Sequence, residues 1–184
     1  AWDVIQRTVS QVVSEIPQRL GRTTGTSFLR MEWDPQRRRS VQTEQQPLVL
    51  PDLEPGSSIE IVTRNGSVTV EGTDGPATAL VKMWLRADTP QEVEERARAI
   101  LQTGGDRNRW WLKTAEEGGE AVEIRLALPR NLQASLLASA VNGRLKVADV
   151  NLAALNLRTE NGEGEVTRVQ AARSQVETGN RPLT

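Results

Sequence analysis

The chain has 184 residues, 37% hydrophobic and 26% charged, with a formal net charge of −1. That length supports one large or two small domains with a sizeable core, and the even charge balance excludes a strong field for nucleic acid or an anionic membrane. Cysteine and histidine are both absent, which excludes disulfides, thiolate and imidazole chemistry and the usual transition-metal ligands, so no cofactor or metal is expected.

Residues 1–20 read as an amphipathic helix, with Trp2, Ile5, Val9, Val12, Ile16 and Leu20 at steps of three and four and a polar opposite face. This stripe, within an expected helix over about 2–20, suits packing on its own domain or on a partner helix. Residues 1–26 are therefore set apart as helix and linker, with a single domain over 27–184. No apolar run approaches the roughly 18 residues of a membrane span, so membrane association is expected only through segments not in this chain. The start at Ala1 without an initiator Met is consistent with a removed signal or anchor. Strands are expected at Ser27–Trp33 and near Leu48–Leu50, with the polar Pro35–Gln46, including Arg37-Arg38-Arg39, as a loop.

From Ile59 the pattern changes to period two. Ile59, Ile61 and Thr63, then Val68 and Val70, share one face, with Asn65-Gly66 between them expected to supply the positive φ angles of a tight turn. Ala77–Arg86 continues as a strand. Thr89-Pro90-Gln91-Glu92 then opens a helix over about 90–102, with Thr89 as N-cap, Pro90 in the first turn and Glu92 closing a capping box; Gly104-Gly105 is expected to end it. This makes a helical insertion at 89–103. Arg109–Thr114 and Ala121–Leu128 alternate as strands around the acidic turn Glu116-Glu117-Gly118-Gly119.

Ser135–Gly179 repeats itself. A slide of about 19 residues carries Leu136, Ala138, Ala140, Asn142, Gly143 and Val147 onto Leu155, Leu157, Thr159, Asn161, Gly162 and Val166. Ser174, Val176, Thr178 and Asn180 start a third copy, and Ile59–Val70 has the same form. Such a period fits one coil of a β-solenoid, or β-helix, in which like residues stack about 4.8 Å apart in parallel ladders. Asn65, Asn142, Asn161 and Asn180, followed in the first three cases by Gly66, Gly143 and Gly162, would then form corners, with the asparagines bonding along the stack.

Leu126-Ala127-Leu128-Pro129-Arg130-Asn131-Leu132, followed by Ala140-Val141-Asn142-Gly143 and Leu157-Arg158-Thr159-Glu160-Asn161-Gly162, resembles the bacterial "putative adhesin" β-strand-repeat family of unknown function, also called the toast-rack domain, over roughly Ile59–Asn180. The resemblance implies an elongated, right-handed, mostly parallel β-solenoid, often attached to membrane segments and in some members part of envelope-stress systems of the phage-shock and Lia type. It implies no catalytic residues, and it implies the cell envelope as location, although lack of cysteine fits the cytoplasm equally well.

The leading functional reading is therefore a non-enzymatic, envelope-associated interaction or scaffold domain that presents a rigid face to a protein, a glycan or itself. Trp110-Trp111 is its best clue: adjacent strand residues face opposite sides, so one indole is core and the other is available to a partner or covered by a helix. A second reading is a polysaccharide-active β-helix enzyme using Asp149, Glu160, Glu163 and Glu165. A third is self-assembly as a homo-oligomer through the solenoid end or residues 1–20.

Overall fold

The computed structural model describes residues 29–31, 41–45, 48–116 and 120–179. The expected helix over 2–20, with Trp2, Ile5, Val9, Val12 and Ile16, the linker to residue 26, Arg37–Arg39, Glu117–Gly119 and Asn180 lie outside the described residues.

Along the chain run β1 (Leu29–Met31), β2 (Val41–Gln45), β3 (Leu48–Val49), β4 (Ser58–Thr63), β5 (Gly66–Thr73), β6 (Thr78–Leu85), helix α1 (Pro90–Ile100), β7 (Leu101–Gly105), β8 (Arg109–Thr114), β9 (Ala121–Pro129), β10 (Ser135–Ala140), β11 (Leu145–Ala148), β12 (Asn151–Thr159), β13 (Gly164–Thr167) and β14 (Gln170–Thr178). Two mixed sheets result. The first has the order β1-β2-β6-β9-β5-β11-β13, with β3 also on β6; the second has the order β14-β12-β10-β4-β8-β7.

The repeat stacks in register. Leu136 pairs with Leu155 and Leu155 with Ser174 in the second sheet, and Leu145 pairs with Gly164 in the first, all in parallel. The early copy joins the same ladders: Leu136 pairs with Ile59 and Leu145 with Val68. Alternation drives this, because β4 buries Ile59, Ile61 and Thr63 while β10 buries Leu136, Ala138 and Ala140 from the same face.

The stack of coils expected over the whole of 27–184 is not uniform. β8 and β9 join β4 and β5 in parallel, but β6 runs antiparallel to β9 and β7 antiparallel to β8, so the observed architecture is two open mixed sheets. Pro35–Gln46 also departs from the expected loop, since β2 lies within it, backbone-paired with both β1 and β6. Backbone pairing along its length, Thr43–Gln45 with β1 and Val41–Gln42 with β6, holds even a polar sequence extended. Between the sheets the buried side chains form one cluster that includes Ile61, Val70, Met83, Leu112, Ile124, Leu126, Leu136 and Leu157; each such fully buried aliphatic is worth about 1.5–3 kcal/mol.

Helix α1 starts as its sequence dictates. The Thr89 hydroxyl accepts from the Glu92 N–H at 3.2 Å, and the Glu92 carboxylate accepts from the Asp88 N–H at 2.9 Å, one residue further back than a standard capping box. That backbone bond, with Arg96 beside it, holds the Glu92 carboxyl below the usual glutamate range. Val93, Ala97 and Ile100 face the core. Thr89→Ala removes the cap and is expected to cost about 1 kcal/mol in urea denaturation; a loss indistinguishable from zero would show that Pro90 and the helix face suffice.

The helix ends earlier than Gly104-Gly105. The chain passes at Leu101 directly into β7, where Leu101 and Thr103 are buried and Gln102 exposed, a period-two pattern. Gly104 and Gly105 serve the β7–β8 hairpin instead. A Cβ on Gly104 would lie 2.7 Å from the Trp111 ring, and Gly105 has φ +122° with the Arg109 carbonyl oxygen 2.0 Å from where its Cβ would be.

The Asn-Gly corners also differ from expectation. Among the described residues, Asn65, Gly66, Asn142, Gly143, Asn161 and Gly162 all lack positive φ; the left-handed non-glycine residues are Gln133, Asp149 and Arg168. The glycines are required by close stacking: a Cβ on Gly66 would lie 2.0 Å from the Val122 oxygen, on Gly143 1.6 Å from the Gly66 oxygen, and on Gly162 1.7 Å from the Gly143 oxygen.

Candidate interaction surface

Five in-register strands of the second sheet, β8, β4, β10, β12 and β14, line up outward-facing side chains in rows that cross the strands. One row is Arg109, Ser58, Ser135, Ala154 and Arg173; the next is Trp111, Glu60, Leu137, Asn156 and Gln175; a third is Lys113, Val62, Ser139, Arg158 and Glu177. With strands about 4.8 Å apart, the first row sets the backbone positions of its two arginines about 19 Å from each other.

An open cleft of about 590 Å³ lies over the first two rows. Ser58, Ser135 and Ala154 contribute short side chains to its lining, and Glu60, Arg109, Leu137, Asn156, Arg173 and Gln175 contribute the longer ones. Glu60 balances the cationic end, 3.6 Å from Arg109 and 3.1 Å from Lys113. The cleft offers hydroxyl, amide and guanidinium groups on a rigid backbone. Hydrogen bonding and charge pairing are within its reach.

The sequence-predicted residues are distributed around this face. Trp110 points inward beside Ile59 and is 3% exposed. Trp111 points outward but is half-buried, its ring on Gly104 and the Lys113 ammonium 5.8 Å from its centroid. The asparagines bond along the corner: Asn142 Nδ2 donates to Asn65 Oδ1 at 2.8 Å, and Asn161 Nδ2 to Asn142 Oδ1 at 3.0 Å. Beside them the hydroxyls of Thr63 and Thr114 converge on the buried Glu116, whose Oε1 lies 2.6 and 2.7 Å from them, and the Arg64 N–H donates to its Oε2 at 3.0 Å. This polar plug had no signal in the sequence beyond an acidic turn.

The four carboxylates of the enzymatic reading are dispersed and largely neutralised. Asp149 accepts two bonds from Arg168, at 2.5 and 2.9 Å; Glu163 pairs with Arg144 at 2.9 Å and Glu165 with Lys146 at 3.4 Å, while Glu160 stands exposed beside the corner. The Arg168 hydrogen bonds hold the Asp149 carboxyl below the usual aspartate range, helped by the charges of Arg168, Arg130 and Lys146. That direction opposes use as a general acid at neutral pH. Among the described residues no group of three or more carboxylates is placed to hold a metal ion, and no helix is long and apolar enough to cross a membrane.

The cleft itself was missed because its members belong to the non-repeating positions. The signal that finds it is the register, since once Ser58, Ser135, Ala154 and Arg173 are known to share a row, the short side chains and charged ends follow from the sequence.

No protein-family model matches the chain, and no curated protein sequence matches it. Solved structures similar to it include a "putative cell adhesion protein" from Clostridium sporogenes, 7% identical with a TM-score of 0.36, covering 76% of this chain and 97% of that one. Another is a "putative adhesin" from Bacteroides fragilis, 10% identical with a TM-score of 0.34, covering 73% of this chain and 70% of that one. At that likeness neither fold nor activity transfers from them to this chain.

Proposed function

We propose that this domain is a non-enzymatic interaction module of the bacterial cell envelope, a toast-rack-like β-solenoid that binds an extended glycan across the second sheet. The observation that carries the reading is the open cleft lined by the short side chains of Ser58, Ser135 and Ala154 and the longer ones of Arg109, Asn156 and Gln175. A protein partner would call for an apolar or aromatic anchor at the centre. In this cleft the one large outward apolar side chain is Leu137, half-buried among Glu60, Ser135 and Asn156, and no aromatic ring is among the lining residues. A hydroxyl-rich ligand matches the hydroxyl and amide groups, and an acidic sugar matches the arginines at the two ends, Arg109 and Arg173, with Glu60 offsetting part of the charge at the first. The envelope location and the solenoid assignment rest on the sequence resemblance, on the in-register parallel ladders and on the stacked Asn65, Asn142 and Asn161.

The test is calorimetric titration of the full chain with a panel of neutral and acidic envelope polysaccharides. Binding to an acidic member is expected, weakened about tenfold by Arg109→Ala through the lost charged contact and less by Asn156→Ala. Release of cleaved sugar products would instead support the enzymatic reading. Absence of binding across the panel, or binding indifferent to both variants, would remove the glycan assignment.

A further inference from the structure

Among the described residues β14 is the edge strand of the second sheet, and β13 lies at the same end of the first. Such an edge presents unpaired N–H and C=O groups, and proteins usually blunt it with proline, lysine, a bulge or a covering segment. From Arg173 to Thr178 β14 pairs regularly with β12 and contains neither proline nor lysine. The core columns also run out here. Ser174 stacks on Leu155 and Val176 on Leu157, yet Ser174 is exposed and Val176 only half-buried, and Val166 on β13 is 37% exposed.

The outward residues of this edge are complementary to themselves. Arg173, Gln175 and Glu177 fall in three successive outward rows, and all three are exposed. Paired antiparallel with a second β14 about a twofold axis at Gln175, the strand sets Arg173 opposite Glu177 of the other copy, and Glu177 opposite its Arg173. Directly opposed residues in an antiparallel pair point to the same face, so both ion pairs lie on the outer surface. The same register places Ser174 against Val176 on the core side and covers the apolar end. A shift that centres the pair on Ser174 sets Arg173 against Gln175 and Glu177 against Ala171, and loses both charge pairs.

We propose that two copies of this chain associate through β14, antiparallel and centred on Gln175, joining their second sheets into one continuous sheet. An isologous contact of this kind closes on itself, so it yields a dimer rather than a fibre. The proposal does not depend on what the cleft binds. In such a dimer the row from Trp111 to Gln175 continues through the partner's equivalent row in reverse order.

Sedimentation equilibrium of the full chain across a concentration series tests it. The wild type is expected to dimerise. Arg173→Glu sets Glu against Glu177 of the other copy, and Glu177→Arg sets Arg against Arg173, so each is expected to weaken dimerisation at least about tenfold. A mixture of the two variants restores both opposite-charge contacts and is expected to form heterodimers near wild-type strength. Arg173→Glu alters an exposed side chain, and unchanged thermal melting would exclude misfolding. Glu177→Arg also loses Arg158, 3.7 Å away, and the mixing experiment compensates for that. A monomeric wild type would overturn the proposal. So would a dimer indifferent to both reversals, which would assign the contact to another surface such as residues 1–28, or two variants that fail to complement each other.

Discussion

Gly143→Ala is expected to destabilise the protein by about 3 kcal/mol or more, at the upper end of overpacking effects, whereas Gly75→Ala should change stability by less than about 0.5 kcal/mol. The Cβ introduced at Gly143 would sit 1.6 Å from the Gly66 carbonyl oxygen and 2.6 Å from its carbon. Both are backbone atoms of the neighbouring repeat, so no rotamer change relieves the overlap. The two repeats would have to separate, and the Asn65–Asn142 bond of 2.8 Å would open with them. Gly75 meets only the Thr73 hydroxyl, at 3.7 Å. Urea denaturation of both variants makes the comparison. Gly143→Asn separates the two explanations of the motif: a turn needing left-handed backbone would accept asparagine, whereas a stacking contact rejects any Cβ. A loss below about 1 kcal/mol for Gly143→Ala would sink the stacking account.

The same glycines show what the sequence exposes and what it conceals. Self-similarity is legible because stacked parallel strands place like on like, so Leu136, Leu155 and their neighbours reveal their register without any structure. The reason for each glycine is not legible, since a missing Cβ reads the same whether φ is positive or a carbonyl lies against it. Gly104-Gly105 misleads in the same way. After a helical stripe the pair resembles a helix end, yet Leu101 and Thr103 are already strand, and the glycines accommodate Trp111 and the hairpin. β2 was hidden by polarity, because backbone pairing to β1 and β6 requires no apolar alternation. The cleft was hidden for a related reason. Stacking repeats the inward columns within the chain, so Ser58, Ser135, Ala154 and Arg173 vary freely along their outward row, and a row that varies has no periodicity to detect.

That separation between inward columns and outward rows also organises function. The inward columns and the corner asparagines fix the strand spacing, and the spacing in turn fixes where Arg109 stands relative to Asn156 and Gln175. Ion pairs between neighbouring repeats, Arg144 with Glu163, Lys146 with Glu165 and Arg158 with Glu177, reinforce the register from outside. Each is exposed and worth little alone, about 0–1 kcal/mol. Their effect is selective rather than large: a two-residue slip between β11 and β13 would leave Arg144 or Lys146 without a carboxylate opposite. A face held this rigidly suits recognition of an extended ligand, since little order has to be gained on binding.

The adjacent tryptophans are expected to behave differently, and the difference decides what the outward one does. Trp110→Ala should cost about 3–5 kcal/mol, as for other buried aromatics truncated to alanine, because its indole is 3% exposed within the core shared by both sheets. Trp111→Ala should cost about 1 kcal/mol, the scale of one cross-strand aromatic pair. Trp111 lies directly opposite Gly104 in the antiparallel β7–β8 pair, and its ring covers backbone that glycine leaves bare. A coupling follows. Gly104→Ala should be destabilising in the wild type, where the new methyl meets Cζ2 at 2.7 Å, and close to neutral once the Trp111 ring has been removed, so the double variant will be more stable than additivity predicts. Thermal and urea unfolding of the four proteins closes the cycle. Additive losses would mean that the ring is not held on Gly104. Unchanged glycan binding by Trp111→Ala, beside weakened binding by Arg109→Ala, would identify Trp111 as the clasp of the edge hairpin and leave recognition to the neighbouring row.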